Sequence, residues 1–122
     1  MPKREADALF GIATEDQKAF DLLARSHVSF AIACFHAQQA VEKYIKSKLS
    51  SRDIKYPFTH DLEDLYLLCQ HHDLTPPVDL KLLEDLNPFA VKQRYDLPSV
   101  SSIDDKDVSA MLQQLQQWCK ED

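Results

Sequence analysis

One glycine, Gly11, in a chain of 122 residues limits the folds open to this sequence more than any other feature. At ordinary usage about nine glycines would be present. Tight hairpin turns of the I′ and II′ types need residues that tolerate positive φ, and so do glycine-rich phosphate loops. Gly11 alone builds none of them, and no G-x-G-x-x-G or G-K-[ST] pattern occurs. Folds rich in strands and tight turns are therefore disfavoured, and a chain of helices is expected.

The remaining totals place such a chain among globular proteins. Hydrophobic residues make up 44% and charged residues 28%. The length suits one domain over residues 1–122 with a real core. The longest apolar run, Phe30 to Phe35, has six residues, where a membrane span needs about 20. Met1-Pro2-Lys3-Arg4 runs straight into Glu5 and Asp7, so no signal peptide is expected. Cys34, Cys69 and Cys119 are isolated, odd in number and without C-x-x-C spacing. This suits a reducing, cytoplasmic setting with three buried thiols and no metal centre or cofactor.

Proline divides the chain into five helical segments. Pro57, Pro76, Pro77, Pro88 and Pro98 fall where helices should start or stop. A first helix is expected over about 5–25, with Ala6, Leu9, Phe10, Ala13, Phe20, Leu23 and Ala24 on its apolar face. Thr14 and Gln17 fit a capping box, which would break that helix near Gly11–Thr14. A second is expected over about 27–51, through Val28, Ala31, Ile32, Phe35, Ile45 and Leu49. A third starts behind Thr59, with Asp61, Glu63 and Asp64 in its first turn and Leu62, Leu65, Tyr66 and Cys69 facing inward. A fourth begins near Pro77 and is interrupted at Pro88. A fifth follows Ser102 or Asp104 and carries the cleanest stripe, Val108, Met111, Leu112, Leu115, Trp118 and Cys119. No segment alternates with period two. The expected fold is all-α, an antiparallel up-and-down bundle of four to five helices.

Charge is unevenly spread over the net −6. Residues 1–58 carry nine Lys/Arg against seven Asp/Glu, a balance of +2, while residues 59–122 carry five against thirteen, or −8. Lys43, Lys46, Lys48, Arg52 and Lys55 crowd together with only Asp53 for company. They read either as a solvated helix end favoured by the macrodipole or as a local anion site.

The second helix departs from its own periodicity. Gln38, Gln39 and Glu42 fall on the stripe that should be apolar. Burying such groups unpartnered costs about 1–3 kcal/mol or more each. A hydrogen-bonded network, an interface or a ligand must therefore satisfy them, unless the stripe turns into solvent. His36, Gln39 and Lys43 share one face. Glu42 precedes Lys46 by four residues, which suits either a surface ion pair or part of a site.

Three blocks carry a family resemblance. They are Phe35-His36-Ala37-Gln38-Gln39-Ala40-Val41-Glu42-Lys43 with Lys46; Thr59-His60-Asp61-Leu62; and Arg94-Tyr95-Asp96-Leu97-Pro98. Together they resemble the HEPN domain, the helical domain of higher eukaryotes and prokaryotes. In the third block Asp96 and Leu97 separate Arg94-Tyr95 from the proline, where the family has Arg-Tyr-Pro. The resemblance implies a bundle similar to the C-terminal domain of kanamycin nucleotidyltransferase, often homodimeric. It also implies a possible partner, a minimal nucleotidyltransferase, in a toxin–antitoxin-like pair, and nucleotide or RNA as ligand. His36, Gln39, Lys43, Lys46, His60, Arg94 and Tyr95 would then meet nucleotide or phosphate. Gln38, Glu42 and Thr59 would form a structural or interface network.

Many HEPN proteins are metal-independent ribonucleases with an arginine followed, after four to six residues, by a histidine. This spacing is missing here: Arg25 and His27 have one residue between them, Arg52 and His60 have seven, and no histidine follows His72. No catalytic residue is assigned, and binding is expected rather than catalysis. The alternatives are a ligand-free interaction module and a ribonuclease using other residues. His71-His72 reads as a helix-end pair.

Overall fold

The computed structural model describes residues 2–90 and 98–121. Among these the chain forms five α-helices and no strand: α1 (Pro2–Ala24), α2 (Phe30–Ser51), α3 (Leu62–His71), α4 (Leu80–Leu86) and α5 (Asp105–Lys120), with a 3-10 turn over Asn87–Ala90 after α4. The all-α bundle inferred from glycine poverty and proline spacing is present.

Several boundaries differ from expectation, each for a local reason. Helix α1 is unbroken. Thr14 caps nothing; its hydroxyl donates to the Phe10 carbonyl at 2.9 Å and lies 3.3 Å from the Tyr44 hydroxyl. Helix α2 starts at Phe30 behind Ser29, whose side chain accepts from the Ala31 amide, so Val28 falls outside it. Asp61, not Thr59, caps α3: its carboxylate accepts from the Glu63 and Asp64 amides, while Thr59 accepts from the Asp61 amide one step earlier. Asp79 caps α4 and Asp104 caps α5 in the same way.

The three long helices form the frame. Contacts between α1 and α2 run in opposite order, from Glu5–Ser50 and Ala6–Ser47 through Gln17–Tyr44 to Phe20–Phe30, so these helices are antiparallel. Helix α5 lies against both, with Ser109 beside Asp21 and Lys120 over the Phe10 ring of α1, and the Cys119 thiol donating to the Tyr44 carbonyl of α2. Its buried stripe is Val108, Met111, Leu112, Leu115 and Trp118, as its periodicity predicts. Helices α3 and α4 close the remaining side through Leu62, Leu65, Leu82, Leu83, Leu86 and Phe89. Cys34 and Cys69 are fully buried and Cys119 is half-buried. Burial pushes the thiols of Cys34 and Cys119 up to about 12 and that of Cys69 to about 11.

Left-handed backbone is needed at two helix ends, and aspartate supplies it. Asp53 and Asp73 have φ of 58° and 59°. Each follows a C-cap and completes a pair of closing bonds: Asp53 to Ser50 and Ile54 to Leu49 after α2, Asp73 to Gln70 and Leu74 to Cys69 after α3. Gly11 occupies neither place. It lies inside α1 with open space where a Cβ would be.

Candidate functional site

The polar residues in the middle of α2 are buried and paired within the chain. Gln38 is fully buried and Glu42 is 2% exposed. Two linked groups account for them. In the first, Asp16 of α1 reaches α2, with Oδ1 3.1 Å from His36 Nδ1 and Oδ2 3.9 Å from Lys43 Nζ. Lys43 Nζ donates to Gln39 Oε1 at 2.7 Å, and Gln39 Nε2 donates to Gln38 Oε1 at 2.6 Å. Gln38 Nε2 then donates to the His60 carbonyl at 2.9 Å, carrying the chain of bonds across to the loop ahead of α3.

The second group is centred on Glu42. Its Oε2 accepts from Lys46 Nζ at 2.9 Å, and His60 Nδ1 lies 3.0 Å from Oε1 and 3.2 Å from Oε2. The Glu42 side chain is 3% exposed and that of Lys46 11%, whereas that of His60 is 54% exposed. The Glu42–Lys46 pair is thus a buried ion pair, and the surface-pair reading does not hold. Lys46 also sits over the Tyr56 ring at 5.5 Å. Burial raises the Tyr56 phenol above its ordinary value, with the charges of Glu5 and Glu42 adding to the effect. No buried side-chain nitrogen or oxygen among the described residues lacks a partner.

This arrangement disperses the basic run. Lys46 neutralises Glu42. Lys48 is 3% exposed, and its Nζ donates to the carbonyls of Trp118 and Glu121, each at 2.8 Å, closing the C-terminal end of α5. Arg52 and Lys55 are exposed.

His60 stands at the edge of a pocket of about 330 Å³ lined by Thr59, His60, Asp61, Asn87 and Ala90. Asp61 Oδ1 accepts from Asn87 Nδ2 at 3.0 Å, and Asn87 Oδ1 accepts from the Leu62 amide at 2.9 Å. Beside the pocket Phe58 is 96% exposed, its ring edge-on to the His60 imidazole at 5.7 Å.

Of the residues singled out from the sequence, His36, Gln38, Gln39, Lys43, Glu42, Lys46 and His60 therefore belong to one connected network. Thr59 lies beside it, its hydroxyl 3.4 Å from an Asp64 carboxylate oxygen. Arg94 and Tyr95 lie outside the described residues; Ala90, the last described residue before them, lines the pocket. Asp16, Tyr56, Phe58 and Asn87 were not anticipated. Asp16 joins α2 only through tertiary packing. Phe58 had one local signal, a bulky aromatic between Pro57 and a polar loop.

A second pocket of about 330 Å³, between α4 and α5, is lined in part by Asp79, Asp85, Asp104 and Asp107. Asp79 and Asp104 are occupied as helix caps, and Asp85 is paired with Lys81 and Ser102. Among the described residues no group of three or more His, Cys, Asp or Glu is placed to hold a metal ion, and no helix is long and apolar enough to cross a membrane.

A family model described as the HEPN domain matches residues 6–121. Searches of curated proteins and of solved structures found no match.

Proposed function

The chain belongs to the HEPN family, and from that premise we propose that it is a non-catalytic nucleotide- or phosphate-recognising protein, the partner of a minimal nucleotidyltransferase in a toxin–antitoxin-like pair. Membership supports a role connected with nucleotides or RNA, or one of the toxin–antitoxin type. The observation that carries the binding reading is the buried Glu42, which is neutralised by Lys46 and holds His60 at the surface beside a pocket. Sustaining a buried ion pair costs desolvation that an apolar pair of similar volume would not. Here the pair fixes the orientation of a solvent-facing imidazole. In this reading Lys46 serves the network, and Lys43 and Arg94 meet phosphate, Arg94 through a planar two-pronged contact. Gln39, His36 and His60 supply hydrogen bonds, and Tyr95 stacks on a base. The missing Arg-to-His ribonuclease spacing favours binding over catalysis.

Titration of the protein with ATP, GTP and a short RNA tests this reading. Wild type should bind at least one of them, and Lys43→Ala and Arg94→Ala should each weaken binding by roughly tenfold, the worth of one charge-assisted hydrogen bond. Equal affinity in all three proteins removes the phosphate site. The same samples address the homodimer. Ile12, Leu22, Val28 and Ile32, on α1 and around the start of α2, are between 43% and 66% exposed, which suits a surface covered by a second copy. Sedimentation at micromolar concentration should give a dimer; a monomer removes that part of the proposal.

A further inference from the structure

Phe58 and His60 form a pair that the fold itself does not need. Phe58 is the most exposed large apolar side chain among the described residues, at 96%. A phenyl ring left in water forgoes the free energy its burial would give, and this ring contributes to no part of the core. Its position is nonetheless defined, edge-on to an imidazole 5.7 Å away. That imidazole is held in turn. The His60 carbonyl is bonded to the buried Gln38 amide and its Nδ1 to the buried Glu42.

The bond to Glu42 decides what His60 offers to solvent. In the neutral ring one nitrogen is a donor and the other an acceptor. A carboxylate only accepts, so in the neutral ring the bond to Glu42 places the proton on Nδ1 and leaves a lone pair on Nε2. Among the described residues, the rest of the pocket wall has the same polarity. Asp61 is a carboxylate, and Thr59 and Asn87 already direct hydrogen bonds to acidic neighbours. A wall of acceptors beside carboxylates repels phosphate and attracts hydroxyl and amino groups. A flat exposed ring beside it suits a flat base, because every nucleobase has a face that stacks on an aromatic side chain. The volume, about 330 Å³, falls within the usual range of roughly 300–1,000 Å³ for small-ligand pockets.

We propose that Phe58 and His60 read the nucleoside part of a ribonucleotide, Phe58 stacking on the base and His60 Nε2 accepting a hydrogen bond from the ribose 2′-hydroxyl. This rests on the nucleotide-binding reading above and gives it a direction. The nucleoside lies over the Thr59–Asp61 end, and its phosphate points away from the acidic wall. The 2′-hydroxyl is the group that separates RNA from DNA at a contact of this kind. His60 is thus assigned as the residue that sets sugar preference, and Phe58 as one that binds without regard to sugar.

The test is a titration of the full chain with single-stranded A6 RNA, A6 DNA of the same sequence, and AMP. Wild type, Phe58→Ala, Phe58→Trp and His60→Phe are compared, with each variant's fold checked by circular dichroism and thermal melting. Wild type should prefer A6 RNA to A6 DNA by roughly tenfold. Phe58→Ala should weaken both by roughly tenfold, the worth of one stacked base, and Phe58→Trp should restore both. His60→Phe should lower RNA affinity by roughly tenfold, to that for DNA. AMP binding with the same dependence on both residues identifies a free nucleotide as the ligand; binding of A6 RNA alone identifies a strand. Equal wild-type affinity for RNA and DNA overturns the role of His60. Unchanged binding by Phe58→Ala, or a change in its oligomeric state without one in binding, overturns the role of Phe58. Binding that persists while both residues prove silent defeats this inference alone. No binding of any nucleotide or RNA defeats the reading beneath it as well.

Discussion

Helices α2 and α5 both pack into the core of the bundle, and they are buried by opposite means. Helix α5 turns an apolar stripe inward and leaves its charged residues outside. Helix α2 buries Gln38, Glu42, Lys46, Ser47, Lys48 and Ser50 beside its apolar residues. An apolar stripe accepts several neighbouring registers at similar energy, because hydrophobic contact is non-directional. Directed bonds do not. Ser47 to the Ala6 carbonyl, Ser50 to Glu5, Tyr44 to Gln17 and His36 to Asp16 each fit one alignment of α1 on α2. The comparison teaches a division of labour: α5 supplies bulk burial, and α2 supplies the register that aims His60 outward.

The largest expected effect attacks what the two helices share. Each carries a thiol, Cys34 fully buried in α2 and Cys119 half-buried in α5, and α3 adds the buried Cys69. Their folded values, about 11 to 12, lie above the ordinary value of 9.0. The fold therefore favours the protonated thiols. Their contribution is intact below about pH 8 and is lost as pH rises through 9 towards 12. Urea midpoints should be level from pH 7 to 8 and fall steeply by pH 10.5; a midpoint still level there contradicts the burial of these groups.

Next come substitutions that separate the helices. Glu42→Ala leaves Lys46 buried beside no carboxylate and should cost about 3–5 kcal/mol. Leu115→Ala in α5 should cost about 2–5 kcal/mol by opening a cavity. The two are told apart by repair. Glu42→Leu combined with Lys46→Met should recover most of the lost stability. Removing a second α5 leucine can only add to the loss. Failure of the double variant to recover, seen in the urea midpoint, would mean that α2 depends on its charges for more than register.

The smallest effects concern the lone glycine. With nothing beyond its own stretch of helix within 4 Å of its would-be Cβ, Gly11→Ala should stabilise by about 0.5–1 kcal/mol. Asp53→Gly, at a left-handed helix end, should stabilise by a similar or smaller amount. A loss of stability in Gly11→Ala would point to a close neighbour on that face of α1.

The legible and illegible parts of this protein divide along the same line. The α5 stripe could be read residue by residue, because a 3.6-residue period is a local property. So could the anomaly of Gln38, Gln39 and Glu42, three polar residues on a stripe meant for the core. Their partners were harder to read. His60 lies 18 residues beyond Glu42, across the loop between α2 and α3. Asp16 meets His36 from another helix. Neither distance leaves a trace in spacing. The start of α3 is ambiguous in the sequence because Thr59 and Asp61 are both good capping residues two positions apart, and only the bonds they make distinguish them. Arg94 and Tyr95, read as a possible phosphate and base contact, fall outside the described residues.

The bonds from Lys48 to the carbonyls of Trp118 and Glu121 bear on the order of events in folding. They join positions 70 and 73 apart in sequence. On a ribosome, which adds about 5–20 residues per second, α2 emerges seconds before its partner exists. Until then its buried ammonium has no carbonyls to meet and stays hydrated. The α1–α2 hairpin can pair early through local contacts, but the side facing α5 closes only after residue 121 has been made. That side is therefore completed by docking α5 onto a lysine of α2. Contacts of such long range slow a helical bundle that short-range contacts alone would let fold quickly.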